Sequence, residues 1–329
     1  MKNIYKLAGD ILRSKLQKDA PAEAAILGTV VNEDVIVLYG GMDHVEDVLE
    51  AAGIPFRLIY SLDEVSLAPS QLLIINCPGH VETDHIEKIR SFVESGGSLI
   101  TTDWALHNVL EKVFPGYLEW NYESTGDEVV GIKIVASNHP FVAGIITEKG
   151  DPQWWLESSS YPIRVLDHSK VSILIDSPEL GKRYKESAVA VFFPFGRGDV
   201  FHMISHYYLQ RTELKSVRHS KGADDFIFGE MNLSPHEIKA GDVSRIHLGE
   251  IESAYSAAKL MSNIIIDKKR KSISPDNETE KVLDSMAKKY SSKSTGGQIK
   301  LSDTSKSGQI RIHNQEKTSR IRINPPDES

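Results

Sequence analysis

The chain has 329 residues, 40% of them hydrophobic, which is enough for a substantial core. Its net charge of −8 is unevenly divided, because residues 267–329 carry 14 basic and 9 acidic side chains whereas the remainder carries 24 and 37. The acidic body argues against general nucleic-acid binding, a mean hydropathy of −0.27 argues against a membrane span, and a single cysteine excludes an intrachain disulfide and a cysteine-based metal cluster.

The N-terminal residues contain none of the apolar stretch that a secretory signal needs, so we expect a cytoplasmic protein. Residues 4–16 place five apolar side chains at helical spacing, and Pro21 ends that segment. We therefore predict an N-terminal helical segment over residues 1–32 that packs on the rest of the chain.

A strand–helix alternation follows. Short apolar runs predict strands, and amphipathic segments between them predict helices over 43–52, 83–94 and 105–113. The predicted strands lie at 35–39, 55–60, 72–75 and 98–102. Because strands that alternate with helices form parallel sheets, the fold class is α/β, with a doubly wound, mostly parallel sheet.

The pattern changes after Pro115. Further strands are predicted, with a hairpin turn over 195–199, a long excursion over 211–246 and a closing amphipathic helix over 251–265. These added strands lie at 129–135, 163–167, 171–175, 188–193 and 199–204. Together these elements predict one α/β domain over residues 33–266.

Residues 267–329 are rich in Lys, Ser, Thr, Asn and Gln, which predicts a basic, mostly disordered tail with one short helix near 282–290. The tail contains three strand-like motifs, 297–301, 308–312 and 319–323, repeated with a period of 11 residues. They predict capture of a protein partner by addition to a sheet edge, on the partner or on this body; chance drift in a Lys/Ser-rich tail is the alternative. The expected partner-binding residues are Ile299, Leu301, Ile310, Ile312, Ile321 and Ile323.

Several segments between Tyr39 and Leu106 resemble the class I glutamine-amidotransferase-like superfamily, closest to its ThuA-like (trehalose-utilisation) members. The resemblance rests on the order of short motifs and spans roughly residues 33–265. These motifs are Gly40-Gly41, Asn76-Cys77-Pro78-Gly79, Val93-Glu94-Ser95-Gly96-Gly97, the stretch 98–103, Asn138-His139-Pro140 with Gly144, and Phe195-Gly196-Arg197-Gly198-Asp199 running to His206. It implies a flavodoxin-like sheet and a site at the carboxyl ends of its strands.

The nucleophile turn departs from this pattern. An active member places its cysteine in a Gly-x-Cys-x-Gly turn, whereas the matching turn here is Thr102-Asp103-Trp104-Ala105. The resemblance therefore implies a pseudoenzyme. Cys77 lies one strand earlier, and we expect a packed or loop thiol without a positioned base.

Asp103 and His206 are the candidate catalytic residues, since the resemblance places both at the same sheet edge. An Asp–His pair could activate water or hold a ligand; structural pairing of a buried histidine, or no contact, is the alternative. The expected ligand-binding residues are Gly40, Gly41, Cys77, Gly79, Asp103, Trp104 and His206.

A metal site and a sugar-binding site are two further hypotheses. Asp103 with His107, or His202 with His206, has the spacing of a metal pair, but neither forms a named signature, so we expect no metal and no cofactor. Trp104, Trp154 and Trp155 could line a pocket or stack on a sugar, although core or domain packing is the expected role of the Trp154–Trp155 pair.

The leading hypothesis is a non-catalytic binding or scaffolding protein that recruits a partner through its tail. The alternative is a hydrolase or related enzyme acting on a sugar or small polar substrate through Asp103 and His206. A third hypothesis is homodimerisation through exposed helices. We expect no nucleic-acid or membrane partner.

Overall fold

A large, mostly parallel sheet organises residues 2–238 and 243–273, which are the residues that the computed structural model describes. The strands, in chain order, are β1 (Val35–Leu38), β2 (Arg57–Ile59), β3 (Leu72–Ile75), β4 (Ser98–Thr102), β5 (Leu118–Trp120), β6 (Glu128–Gly131), β7 (Lys133–Ile134), β8 (Gln153–Leu156), β9 (Ile163–Val165), β10 (Ser172–Asp176), β11 (Ala188–Phe195) and β12 (Gly198–Met203).

Eight of these strands form the main sheet, in the order β2-β1-β3-β4-β12-β11-β10-β7. The first five are parallel to one another, whereas β11, β10 and β7 continue the sheet by antiparallel pairing. Two small antiparallel pairs, β5 with β9 and β6 with β8, lie outside it. The chain therefore has a mixed α/β fold whose parallel part contains the predicted strands of the first hundred residues.

The helices surround this sheet and are, in chain order, α1 (Lys2–Asp19), α2 (Pro21–Leu27), α3 (Val45–Ala52), α4 (His85–Glu94), α5 (Glu111–Val113), α6 (Pro178–Tyr184) and α7 (Leu248–Ser272). A π-helical turn over Leu106–Leu110 runs into α5, and another lies over Asp225–Glu230. No helix within residues 2–238 and 243–273 is long and apolar enough to cross a lipid bilayer.

The predicted N-terminal helix is confirmed, and it packs against α3 and α7. Its Tyr5 hydroxyl donates a hydrogen bond to the carbonyl of Tyr207 (2.7 Å) and accepts one from the amide of Leu209 (2.8 Å). Tyr5 is 1% exposed, so both bonds are shielded from water. The N-terminal segment thereby fixes the chain that follows β12. Pro21 ends α1 as predicted, but it also begins α2, because proline suits the first turn of a helix.

Besides α2, the elements β5, β8 and α6 were not predicted. In β8 all four residues, Gln153–Leu156, are buried, so the strand lacks the alternation of polar and apolar residues that marks a half-buried strand. β5 is only three residues long, and α6 contains Gly181 in a seven-residue segment. Short elements of this kind depend on the surrounding structure more than on their own pattern.

The closing helix α7 continues beyond the predicted boundary at residue 266, so residues 267–272, assigned to the tail, are helical. The reason is that the polar side chains of this turn have partners on the body. The Lys268 ammonium donates to the carbonyls of Pro69 (2.7 Å) and Gly96 (2.5 Å), and Lys271 pairs with Asp199 at 3.2 Å. The motifs at 297–323 and the helix near 282–290 lie outside the described residues.

Candidate functional site

The predicted ligand-binding residues lie together at the carboxyl ends of β1, β3, β4 and β12. Gly40 follows β1 and touches the loop after β3 so closely that a Cβ atom on it would lie 2.1 Å from the carbonyl oxygen of Cys77. Gly79 has a φ of +76°, and a Cβ atom there would meet Ala105 at 2.8 Å. Glycine is required at both positions, because the loops after neighbouring strands contact each other.

Asp103 occupies the first position after β4, in a left-handed conformation with a φ of +46°. This conformation is uncommon for a residue other than glycine and marks a sharp turn between strand and helix. Its carboxylate is held in place, since Oδ1 accepts the amide N–H of Tyr161 (2.9 Å) and Oδ2 accepts the hydroxyl of Ser160 (3.0 Å). The turn therefore presents a carboxylate whose two oxygens are both held by hydrogen bonds.

His206 lies between two carboxylates. Its Nε2 is 3.4 Å from Oδ2 of Asp103, and its Nδ1 is 3.3 Å from Oε2 of Glu157. These are ion-pair distances, but among the described residues neither ring nitrogen has a partner at hydrogen-bond angles. The imidazole is 2% exposed, so the pairing takes place away from bulk water.

Asp43, which follows β1, completes this charged cluster. Its Oδ1 accepts the amide N–H groups of His44 (2.7 Å) and Tyr208 (3.3 Å), and its Oδ2 accepts that of Tyr207 (3.2 Å). Burial alone would lower the pKa of His206, but the charges of Asp43 and Asp103 and contact with Cys77 outweigh it and raise that pKa well above its ordinary value. His206 is therefore a buried cation at neutral pH and not a free base.

The Cys77 thiol lies beside this pair, with Sγ 3.9 Å from Oδ2 of Asp103 and within 4.8 Å of a ring nitrogen of His206. The buried thiol lies near a histidine because β3 and β12 flank β4, although this histidine is not a free base. Burial nevertheless raises the pKa of the thiol, and burial raises the pKa of Asp103 as well. A protonated thiol beside a cationic histidine is not an activated cysteine.

Cys77, Asp103 and His206 are also the described residues whose side chains could together hold a metal ion. The metal pairs considered from spacing do not assemble. His107 instead pairs with Glu111 (2.7 Å), one helical turn on. His202 is fully buried, with Nδ1 2.8 Å from the hydroxyl of Thr101.

Trp154 and Trp155 are packed rather than presented to a ligand. Trp154 is fully buried and donates its indole N–H to Ser256 (2.9 Å). Trp155 is 6% exposed, donates to Asp127 (2.6 Å), and lies edge-on to His206 with the ring centres 5.9 Å apart. The expected packing role is confirmed for both.

Trp104, in contrast, is part of a stack of partly exposed rings beside Asp103. Its ring lies 5.5 Å from that of Tyr161, which lies 4.1 Å from that of Trp120, and Trp120 lies 5.4 Å from Tyr122. Tyr122 is 67% exposed and ends the stack. We call these four residues the aromatic stack.

The sequence analysis did not predict four parts of this site: Asp43, Glu157, Ser160 and the members of the aromatic stack other than Trp104. Asp43 could have been found, since it is a carboxylate placed just after a predicted parallel strand. Glu157 and Ser160 follow β8, a strand that the sequence pattern did not indicate, so nothing placed them at this edge.

No protein-family model and no curated protein matches this chain. The solved structures that resemble it include a ThuA-like protein from Bacteroides uniformis, at 8% identity over 54% of this chain and 83% of that one, with a TM-score of 0.37. PurLQS from Thermotoga maritima resembles it at 17% identity over 53% and 86% of the two chains, with a TM-score of 0.38. A β-galactosidase from Rahnella sp. R3 does so at 16% identity over 54% and 29%, with a TM-score of 0.37. This chain spans only 27–31% of the length of the matched glycosidases, and at these scores the likenesses carry no argument about function.

Proposed function

We propose that this chain is a non-catalytic binding protein built on a flavodoxin-like, glutamine-amidotransferase-like domain. The order of its parallel strands, β2-β1-β3-β4-β12, corresponds to the order 2-1-3-4-5 of flavodoxin-like sheets, which bind ligands at the carboxyl ends of the strands. The observation that carries the proposal is the state of Asp103. It stands in the turn that matches the nucleophile turn of the resembled superfamily, with both carboxylate oxygens hydrogen-bonded, and faces a histidine whose pKa is raised well above its ordinary value.

The aromatic stack supports a ligand-binding face next to this turn. Tyr161 links the two features, because its amide holds Asp103 while its ring lies between Trp104 and Trp120. Flat ring faces beside buried polar groups are typical of sites for small molecules that contain a ring. The proposed ligand is therefore a small, polar, ring-containing molecule that contacts the exposed end of the stack.

Replacing Tyr122 by alanine should weaken the binding of this ligand without unfolding the protein. One aromatic contact contributes about 0.5–1.5 kcal/mol, so the dissociation constant of a ligand found by thermal-shift screening should rise roughly 2- to 12-fold. Tyr60→Ala is the matched control, because Tyr60 is 70% exposed, follows β2 and contacts the ring of Tyr39 rather than the aromatic stack. Equal affinities for the two variants would remove the aromatic stack from the binding site.

The tail is proposed to recruit a protein partner through the motifs at 297–301, 308–312 and 319–323. Three similar motifs on one tether can raise avidity because the second and third binding events are intramolecular. A chain that ends at residue 290 should lose the partner that the full chain retains in affinity capture. Full-length protein with Ile299, Ile310 and Ile321 all changed to lysine should lose it too. Retention by both variants would contradict this part of the proposal.

A hydrolase or related enzyme acting on a sugar or small polar substrate is the second candidate. One observation favours it: Asp103 and His206 converge to 3.4 Å, well inside the separation at which a direct or one-water link is lost. Against it stand the burial of both side chains and the absence of a free lone pair on a cationic imidazole. Turnover, rather than mere retention, of a ligand that binds the aromatic stack would favour the enzyme.

A further inference from the structure

Three side chains with the chemistry of metal ligands converge at the centre of the sheet edge. Cys77, Asp103 and His206 follow β3, β4 and β12, which are adjacent parallel strands, and one ligand atom from each lies within 4.8 Å of the other two. Each residue is 2% exposed. A thiol, a carboxylate and an imidazole therefore lie close together at the ends of three neighbouring strands.

Two of the three separations are close to those of a tetrahedral zinc site. With ordinary zinc bond lengths, nitrogen and oxygen ligands of one ion lie about 3.4 Å apart, and sulfur and oxygen ligands lie about 3.5 Å apart. Here Nε2 of His206 is 3.4 Å from Oδ2 of Asp103, and Sγ of Cys77 is 3.9 Å from the same oxygen. For these two pairs the required shifts are a few tenths of an ångström, whereas Sγ of Cys77 and the ring nitrogen of His206, which lie within 4.8 Å of each other, would have to approach to about 3.5 Å.

The surrounding groups have the arrangement that supports metal ligands. A ligating histidine commonly has a carboxylate at its other ring nitrogen, and Glu157 lies 3.3 Å from Nδ1 of His206. A ligating carboxylate is commonly oriented by hydrogen bonds, and Asp103 has those from Ser160 and Tyr161. The surrounding shell therefore fixes Asp103 and places a carboxylate near Nδ1 of His206.

Hydrogen bonding does not account for the position of the His206 ring. Neither nitrogen of the buried His206 ring has a hydrogen-bond partner of proper angle among the described residues. Such unsatisfied buried groups are rare and call for a partner. A dication bound to a thiolate, a carboxylate and a neutral imidazole carries no net charge, which suits a buried site.

We propose that Cys77 Sγ, Asp103 Oδ2 and His206 Nε2 bind one Zn²⁺-type divalent cation, with a fourth position left for water or a ligand oxygen. Binding displaces the thiol proton and the Nε2 proton to solvent. Because the three side chains are buried, the ion enters as the chain folds. This inference is independent of the aromatic stack and of the tail, so failure of either earlier test leaves it intact.

The experiment is titration of the full-length chain with Co²⁺ in two preparations. One is protein purified in the presence of a chelator, and the other is protein refolded in the presence of Co²⁺. We expect one equivalent to bind with a sulfur-to-cobalt charge-transfer band, displaced by one equivalent of Zn²⁺. Because Cys77 is the only cysteine, this band can come from no other residue. Cys77→Ser should abolish it.

Glu157→Gln provides a second variant that does not alter a ligand. It should keep the band and weaken Zn²⁺ binding roughly 10- to 100-fold. Glu119→Gln is the matched control, because both glutamate side chains are 27% exposed and Glu119 pairs with Arg164 instead. Absence of the band from both preparations, or equal Zn²⁺ affinities in the two glutamine variants, would overturn the proposal.

Discussion

Arg218→Met is expected to lower the free energy of unfolding by about 3–5 kcal/mol, because it leaves two carboxylates without their cation. Arg218 lies in the long excursion after β12. Its guanidinium contacts Glu252 of α7 (2.7 and 2.8 Å) and Glu230 (2.8 and 2.9 Å). The Glu252 side chain is only 2% exposed, and burial raises its pKa even with Arg218 in contact. Removal of the arginine would therefore leave a buried carboxylate that must take up a proton.

Arg211→Met is the matched control, since Arg211 also contacts two carboxylates, Asp127 (2.6 Å) and Glu213 (2.7 Å). All three of those side chains are 39–49% exposed, so the loss should stay below about 1 kcal/mol. Urea unfolding at constant slope measures both changes. Adding Glu252→Gln to Arg218→Met should recover part of the loss. Equal losses in the two arginine variants would show that the Arg218 cluster does not stabilise the excursion.

The second large effect is the loss of stability in acid caused by His202. Burial lowers the pKa of this fully buried histidine to about 3, against an ordinary value of about 6.5. In the unfolded chain, this histidine therefore becomes protonated below about pH 6.5, whereas in the folded chain it stays neutral down to about pH 3. The stabilisation present above pH 6.5 is lost as the pH falls, by about 1.4 kcal/mol per unit.

Between pH 7 and pH 5 this single group should cost the wild type about 2 kcal/mol in free energy of unfolding. His202→Gln, which keeps a polar partner for Thr101, should remove that share of the pH dependence. Urea unfolding of both proteins at the two pH values measures the difference. His168→Gln, on an exposed loop, controls for the removal of a histidine. If His202→Gln loses as much stability as the wild type, the assignment to His202 is wrong.

The contrast between His202 and His206 shows that position along the strand decides the direction in which a buried histidine's pKa is shifted. His202 is inside β12 among apolar neighbours, with the Thr101 hydroxyl as its polar contact, so burial keeps it neutral. His206 lies four residues later, where the carboxyl ends of the strands bring Asp43, Asp103 and Glu157 around it. The two rings are equally buried, yet their pKa values are shifted in opposite directions, and no local pattern distinguishes them.

The sequence by itself determined the alternation of strands and helices over residues 35–113, because buried parallel strands are continuous apolar runs and amphipathic helices have their own period. The resemblance to the amidotransferase-like superfamily placed Asp103 and His206 at the same edge, and in the structure β4 and β12 are parallel neighbours that end there. The sequence did not indicate β8, whose residues are all buried, and so missed Glu157, Ser160 and Tyr161. Only the tertiary structure decided that Cys77 meets His206 and that the imidazole is charged. Contacts between residues more than a hundred positions apart, and the burial that sets their pKa values, depend on which strands become neighbours.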